Sequence, residues 1–439
     1  MAFHLHGIHT PHRKNTAKAP TVRMSAPKSV TIPMAMHIGA PAIPTVKVGD
    51  TVKIGQKIGE AAGKVSSPVF ASISGKVTKL TDYVLTSGAQ TAAVVIESDG
   101  EMAICESLCA HEVSDRTSLI EALRESGIVG LGGAGFPTHV KLDVDPARID
   151  YLVINGAECE PYITSDTVTM LTRGEDIAYA LRALARALGI KRVVFGIENN
   201  KKEAIEAMKK MAASVGECEV TVKALPALYP QGGEKVLVYH TTGRKIGMGK
   251  LPIDVGCVVL NCTTLAAIGT YLASGMPLTE KCVTVEGGAV KQPQNVIVPI
   301  GTSLADLFDF CGGLTEEPDK IIYGGPMMGI TVQSPDCAVL KNTNAVLALT
   351  KKEAKLPKTT ACIRCGSCVN TCPFGLAPIA IAEAHDKGDT EALKALSVDM
   401  CMECGCCSFV CPANRPLVQI NKLSKQMLRE ERMKEEKKA

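Results

Sequence analysis

Two cysteine runs near the C-terminal end constrain this chain more than any other feature. Cys362–Pro373 reads CIRCGSCVNTCP and Cys401–Pro412 reads CMECGCCSFVCP, so both have the form C-x2-C-x2-C-x3-C-P. The N-terminal stretch MAFHLHGIHTPHRK has no apolar core of a secretory signal, and we therefore expect a cytoplasmic protein. Its 18 cysteines would stay reduced there, so their clustering indicates metal binding rather than disulfide bonds.

The spacing of these cysteines is the signature by which bacterial ferredoxins bind [4Fe–4S] clusters. In two-cluster ferredoxins the fourth cysteine of each run serves the other cluster. The resemblance therefore implies two ligand sets: Cys362, Cys365, Cys368 and Cys411 for one cluster, and Cys401, Cys404, Cys407 and Cys372 for the other. Zinc is the disfavoured alternative, because it usually takes cysteines in separated pairs. Cys406 is surplus and is interpreted as a packed thiol.

Composition argues against two other classes of protein. The net charge is only +3, and aromatic residues make up 4% with no Trp, so we expect no nucleic acid partner. Residues 255–279 carry no charged side chain, which raises the question of a membrane span. They also contain Asn261, Thr263, Thr264, Thr270, Ser274 and three glycines, so we expect buried α/β core and no transmembrane helix.

The pattern of turns and apolar periods predicts a multidomain α/β protein. After an N-terminal segment over residues 1–29, short strands separated by glycine turns over 30–100 resemble a biotinyl/lipoyl-type barrel sandwich. A carrier lysine would have to be Lys64, and a structural role is favoured for it. The N-terminal histidines offer a metal site that is disfavoured: His4, His6, His9 and His12.

Changes in the spacing of apolar residues predict the remaining modules. Helices alternate with apolar strands over residues 115–279, which predicts a parallel sheet, and short strands with one helix over 280–350 predict a β-grasp module. Residues 356–424 form the ferredoxin-like helical module, and 425–439 is expected to be a charged, solvated tail.

A glycine-rich stretch, GLGGAGFPTHVKL from Gly130 to Leu142, formally contains G-x-G-x-x-G. The dinucleotide fingerprint requires a strand before it and a helix after it, whereas here a helical segment precedes and Pro137 follows. The loop still lets backbone amides approach a phosphate or a flat ring, and Lys141 adds a charge. A tight connection without a ligand is the alternative.

Three further polar loops follow predicted strands of the same sheet. They are NGAECEPY at 155–162, YPQGGEK at 229–235 and LNCTT at 260–264. Ligands bind at the carboxyl ends of such strands, so we expect these loops to share one crevice with the glycine stretch.

Together these loops resemble the flavoprotein subunit of respiratory complex I, whose GRGGAGFPTGLK and N-x-D-E-S-E-P loops hold FMN and NADH. Leu131 stands where that family has Arg, and Ala157 where it has Asp. The resemblance implies a set of flavin- or nucleotide-contacting positions: Gly130, Gly132, Gly133, Phe136, Lys141, Asn155, Glu158, Glu160, Gly232, Glu234, Asn261 and Thr264. Glu158 and Glu234 are expected to hold ribose or tune the flavin, and the alternative is solvated loop carboxylates.

The order of motifs along the whole chain is similar to that of the RnfC family, which belongs to the Rnf electron-transport complexes. That resemblance implies oxidation of NADH through FMN and two [4Fe–4S] clusters. The partners would be other subunits of a membrane complex, and ferredoxin would react through another subunit. The chain would be bound peripherally at the cytoplasmic side of the membrane. Two alternatives are a diaphorase subunit of a soluble NAD-linked hydrogenase or formate dehydrogenase, and a ferredoxin-bearing adaptor without a working flavin pocket.

Overall fold

The N-terminal β module consists of two small antiparallel sheets that face each other. The computed structural model describes residues 6–436, and His4 of the histidine site considered above lies outside them. Within that range no three His, Cys, Asp or Glu side chains are grouped to hold a single metal ion. Its strands are β2 (Ser29–Pro33), β3 (Ile43–Pro44), β4 (Thr51–Val52), β5 (Lys57–Glu60), β6 (Val69–Phe70), β7 (Gly75–Val84) and β8 (Gln90–Ser98), while the preceding β1 (Val22–Arg23) belongs to another sheet.

One of the two sheets has the order β2-β8-β7-β4 and the other β3-β5-β6. Ile32, Ile58 and Val94 point between them and are fully buried. The alternating pattern of the sequence therefore gives a barrel sandwich, as predicted. The carbonyl of Lys64 lies 3.4 Å from Nε2 of His139, in the neighbouring module, which supports a structural role for this loop.

The central module is a parallel sheet covered by helices. Its elements are α1 (Arg116–Glu125), α2 (Thr138–Leu142), β9 (Tyr151–Gly156), α3 (Ser165–Thr172), α4 (Gly174–Leu188), β10 (Arg192–Glu198), α5 (Lys202–Ala212), β11 (Glu219–Leu225), α6 (Glu234–Thr242), β12 (Cys257–Asn261) and α7 (Cys262–Ser274). The strand order is β11-β10-β9-β12, with all pairs parallel. β9 is apolar on both faces because helices cover both sides of the sheet.

The uncharged stretch 255–279 forms β12 and α7 inside this module. Leu265, Ile268 and Leu272 of α7 are fully buried. The prediction of α/β core is thus confirmed, and across residues 6–436 we find no helix with both the length and the apolar character to cross a bilayer.

The β-grasp module adds a mixed six-stranded sheet. Its elements are β13 (Glu280–Glu286), β14 (Gln294–Pro299), α8 (Leu304–Phe310), β15 (Lys320–Tyr323), β16 (Ile330–Val332) and β17 (Ala345–Leu349), followed by α9 (Lys351–Ala354). The strand order is β1-β14-β13-β17-β15-β16. β1 pairs in parallel with β14, so the N-terminal segment supplies an edge strand to a module that lies far along the chain.

The C-terminal module is helical: α10 (Ser367–Asn370), α11 (Pro378–Asp386), α12 (Thr390–Ala395), α13 (Cys406–Phe409) and α14 (Leu417–Glu436). α14 runs through residue 425, where the sequence suggested the start of a separate tail. Leu428 is fully buried, and Glu431 accepts a hydrogen bond from Thr390, because this part of α14 still packs on the module.

A buried lysine joins three of these modules. Nζ of Lys341, in the β-grasp module, donates to Oγ of Ser67 at 3.1 Å, to the carbonyl of Pro68 at 2.6 Å and to the carbonyl of Gly127 at 2.7 Å. Its side chain is among the largest fully buried ones. Burial lowers the pKa of Lys341 from 10.5 to about 7, because desolvation disfavours the charged form.

We expect this lysine to make stability depend on pH. Between about pH 7 and 10.5 the unfolded chain binds a proton that folded Lys341 does not, so stability rises with pH in that window, by up to about 1.4 kcal/mol per pH unit. Lys341→Met removes this term. The thermal midpoint of the wild type, taken relative to that of Lys341→Met, should therefore increase between roughly pH 7.5 and pH 9.5. A difference between the two proteins that is independent of pH would contradict the assignment.

Candidate functional site

A cavity of about 220 Å³ opens at the carboxyl ends of β9 and β12. Register pairs Asn155 of β9 with Asn261 of β12, so both strands end beside it. The lining residues come from the glycine loop, from both strand ends and from the first residue of α6: Gly130, Gly132, Gly133, Ala134, Gly135, Phe136, Thr138, Lys141, Asn155, Glu234, Val259, Leu260, Asn261 and Thr264. The predicted crevice therefore exists, and most of the predicted flavin-site residues line it.

The glycine loop is held in place from outside the central module. Lys281 donates to the carbonyl of Leu131 at 3.0 Å, Asn342 donates to that of Gly133 at 2.7 Å, and the amide of Ile38 donates to that of Gly135 at 3.1 Å. The first two donors belong to the β-grasp module and the third to the barrel sandwich. These three donors, which the sequence motifs do not reveal, fix the loop without filling the cavity.

Close packing explains one glycine of this loop. A Cβ on Gly132 would lie 2.7 Å from Nδ2 of Asn261, so any larger residue there would force Asn261 to shift. Asn261 in turn caps α7, since its Oδ1 accepts from the amides of Thr263 at 2.9 Å and Thr264 at 3.2 Å. The glycine loop and the N-terminus of α7 thus meet at the cavity, and the glycine-rich wall leaves room for a flat ring.

One cation and one carboxylate flank the cavity. Nζ of Lys141 lies 3.1 Å from Oε2 of Glu234 and also donates to the carbonyl of Val259 at 3.1 Å. The two side chains are 34% and 43% exposed, so the ion pair contributes little to stability. Both groups can therefore turn toward a ligand at small cost.

Glu158 lies outside the cavity lining, although the sequence suggested a ligand contact or a solvated carboxylate. Its side chain is 3% exposed and forms a salt bridge of 3.0 Å with Lys201. It also accepts from the amide of Asp166 and from Oγ1 of Thr167, both at 2.7 Å. A carboxylate with all these partners is a buried structural group, because its lone pairs are already used.

Glu160 and Gly232 also lie behind the cavity wall. The carboxylate of Glu160 accepts from the amides of Met327 at 3.1 Å and Met328 at 2.8 Å, in the β-grasp module. Burial raises the pKa of Glu160 to about 7, and the two amide hydrogen bonds oppose that shift. The carbonyl of Gly232 accepts from Nδ2 of Asn155 at 2.9 Å, so Gly232 positions a lining residue.

The two residues that differ from the complex I pattern, Leu131 and Ala157, differ in their relation to the cavity. The Leu131 side chain is 1% exposed and belongs to the hydrophobic core, so it takes no part in the lining. The amide of Ala157 donates to Oδ1 of Asn155 at 3.1 Å, which fixes that side chain at the cavity.

The eight motif cysteines surround two further cavities. The first, of about 230 Å³, is lined by Cys362, Cys365, Cys368 and Cys411, and the second, of about 20 Å³, by Cys372, Cys401, Cys404 and Cys407. These are the two sets that the ferredoxin resemblance implies. Both loops have the same backbone, since Arg364 and Glu403 have φ of 55° and 60° and the following glycines, Gly366 and Gly405, also have positive φ.

The two cysteine loops differ in exposure. Cys362 and Cys365 are exposed, whereas Cys404 and Cys407 are each 8% exposed. We therefore name the first set the outer cysteine set and the second the inner cysteine set.

The inner cysteine set packs on the YPQGGEK loop of the central module. The hydroxyl of Tyr229 donates to the carbonyl of Cys404 at 2.7 Å, and the Met402 side chain covers Gly233. The surplus thiol of Cys406 is buried and points to the carbonyl of Tyr229 at 3.8 Å, as a packed thiol does. The loop that contributes Glu234 to the cavity therefore touches the inner cysteine set as well.

Family models match four consecutive parts of the chain. They are the RnfC barrel sandwich hybrid domain over residues 2–101, the Nuo51 FMN-binding domain over 123–270, the SLBB domain over 282–331 and the 4Fe-4S dicluster domain over 361–415. The barrel sandwich, central, β-grasp and cysteine-rich modules thus each have a counterpart among known families, in the predicted order.

Curated relatives match most of the chain. The C subunit of the Na⁺-translocating ferredoxin:NAD⁺ oxidoreductase complex of Acetobacterium woodii is 44% identical, over 86% of this chain and 86% of its own. The corresponding subunit of the proton-translocating ferredoxin:NAD⁺ oxidoreductase complex of Clostridium ljungdahlii is 43% identical, over 85% of this chain and 82% of its own. The corresponding subunit of the ion-translocating oxidoreductase complex of Rhodobacter capsulatus is 40% identical, over 97% of this chain and 83% of its own.

A solved structure shares the fold at greater distance. An NAD⁺-reducing [NiFe]-hydrogenase in the air-oxidised state superposes with a TM-score of 0.51 and 19% identity, over 72% of this chain and 63% of that one. The level of identity to the curated relatives, over most of their length, is decisive: the chain belongs to the RnfC family of ion-translocating ferredoxin:NAD⁺ oxidoreductase complexes.

Proposed function

We propose that this chain is the NADH-oxidising subunit of a membrane-bound, ion-translocating NADH:ferredoxin oxidoreductase of the Rnf type. It would exchange electrons between NADH and two [4Fe–4S] clusters through FMN. One observation carries the proposal: the YPQGGEK loop touches the cavity through Glu234 and the inner cysteine set through Tyr229. A flavin site and a cluster site that share a loop are suited to exchange electrons.

The cavity has the features that FMN requires. Its open space beside Gly133 fits a ring, and the glycine loop with Lys141 at the rim suits a phosphate. Bound FMN would supply the conversion between the two-electron chemistry of NADH and the one-electron chemistry of the clusters. Lys141 would neutralise ligand charge, Phe136 would lie against the nucleotide, and Asn155 and Asn261 would orient the bound groups. No protein acid or base is assigned.

The outer and inner cysteine sets are proposed as the ligands of the two clusters. Gly366 and Gly405 let each loop turn tightly, since both have positive φ. The inner set contacts the loop that lines the flavin cavity, so a cluster held there would be placed to exchange electrons with FMN, and a cluster on the exposed outer set would be accessible to a partner.

The partners are other subunits of the complex, and ferredoxin reacts through one of them. We place the chain at the cytoplasmic side of the membrane as a peripheral subunit, since NADH and ferredoxin are cytoplasmic. The match to the RnfC barrel sandwich over residues 2–101 favours this assignment over a soluble hydrogenase diaphorase. Anaerobic bleaching of flavin by NADH would separate it from the adaptor alternative.

The flavin site can be tested at Gly132. In Gly132→Ala the new methyl group displaces Asn261, so we expect FMN affinity to fall at least about tenfold, by the usual cost of such a clash. Gly216→Ala is the matched control, because open space surrounds Gly216. Flavin content and NADH-dependent bleaching near the flavin absorption maximum give the measurement. Unchanged flavin content in Gly132→Ala, or failure of the wild type to retain flavin in its native complex, would refute the site.

The ligand sets can be tested by iron content and electron paramagnetic resonance. Cys362→Ala and Cys404→Ala should each lower iron from about eight to about four per chain, since each variant removes one ligand of a different cluster. Magnetic coupling between the clusters should disappear in both variants. Cys406→Ala is the control and should keep about eight irons. An equal loss of iron in Cys406→Ala would contradict the assignment of the ligands. Flavin should remain bound in all three variants.

A further inference from the structure

The N-terminal segment lies across the site as a strap, defined here as residues 8–18. Ile8 pairs with Tyr229 through two backbone hydrogen bonds of 2.8 and 2.9 Å. The carbonyl of His12 accepts from the amide of Tyr162 at 3.0 Å, and Oγ1 of Thr16 lies 2.6 Å from that of Thr164. The strap therefore follows the loop that joins β9 to α3, which we name the acid-rich loop (residues 157–164).

Lys14 is the residue of the strap that enters the acid-rich loop. Its Nζ donates to the carbonyls of Glu158 at 2.8 Å, Glu160 at 2.6 Å and Ile163 at 2.5 Å. An ammonium group has three N–H donors, and all three are used here on one short loop. Neighbouring Arg13 and Lys18 remain exposed.

The loop that Lys14 closes is connected to each part of the site. Glu158 binds the amide of Asp166, whose carboxylate accepts from Asn261 at 2.8 Å in the cavity lining. Glu160 binds the amides of Met327 and Met328, and the carbonyl of Met327 lies beside Gly405 of the inner cysteine loop. The acid-rich loop is thus linked to the cavity lining through Asp166 and to the inner cysteine loop through Met327.

Charge explains why a lysine is needed at this position. The acid-rich loop brings the carboxylate of Glu158 close to that of Glu198, and Glu160 is also largely enclosed by protein. Lys201 pairs with Glu158 directly, whereas Lys14 binds carbonyl groups and attracts Glu158 and Glu198 from a greater distance. Without the Lys14 ammonium three carbonyls lose their donor and the cluster of acids loses a cation, so the loop would have to rearrange.

We infer that Lys14 is a positioning residue that fixes the acid-rich loop, which is linked to both the flavin cavity and the inner cysteine set, and thereby sets the rate of electron exchange between them. The inference rests on the proposed function. It does not make Lys14 a catalytic residue, since the side chain touches neither the cavity lining nor a motif cysteine.

The test compares Lys14→Met with Lys18→Met in the full chain loaded with flavin and iron. Met keeps most of the length of the lysine side chain without its charge or donors, and Lys18 is an exposed lysine of the same strap. We expect amide exchange over residues 157–164 to accelerate in Lys14→Met alone. The rate of flavin bleaching by NADH should stay within about twofold of that in Lys18→Met. The clusters should be reduced at least about tenfold more slowly, because a small displacement of the groups that exchange electrons lowers the rate.

Other outcomes separate this inference from the proposed function. If NADH reduces no flavin in the wild type, the proposed function is wrong. If flavin is reduced normally but the two variants have the same amide exchange over residues 157–164 and the same rate of cluster reduction, the inference about Lys14 is wrong. Should Lys14→Met fail to retain flavin and iron, Lys14→Gln, which keeps two donors, replaces it in the same comparison. Loss of both cofactors there too would overturn the inference, because Lys14 would then hold the whole fold.

Discussion

The contact between Tyr229 and the inner cysteine loop is the interaction on which the rest of the structure depends. A flavin and a cluster exchange electrons only across a short gap, so the modules that hold them must not move apart. The buried Tyr229 hydroxyl joins these modules through the carbonyl of Cys404. A single hydrogen bond contributes only about 1 kcal/mol to stability. The contacts around it must therefore hold the two loops in position.

Buried lysines provide many of those contacts. Lys14, Lys281 and Lys341 each donate to backbone carbonyls of another part of the chain. A long flexible side chain can enter a crowded junction, and a backbone carbonyl cannot be lost by substitution of its residue. Desolvation lowers the pKa of all three lysines, and their hydrogen bonds offset part of the cost of burying the amino groups.

The sequence was sufficient for features that depend on local spacing. Both cysteine sets, the glycine loop and elements such as β11 and α8 follow from periods and motifs. The directions of the Glu158 and Glu160 carboxylates could not be predicted, because a strand end indicates the position of a residue and not where its side chain points. Lys201 and the amides of Met327 and Met328, distant in sequence, decide that direction. The three donors that hold the glycine loop could not be predicted for the same reason.

The pairing of the first residues with much later ones has a consequence for biosynthesis. Thr16 contacts Thr164, Ile8 pairs with Tyr229 and Val22 pairs with Val296, so the strap and β1 complete their contacts only after residue 296 has been synthesised. Pairing between residues so far apart in sequence raises the contact order of the fold, which slows folding. The strap and the loops that it contacts therefore reach their final arrangement together, late in the folding of the chain.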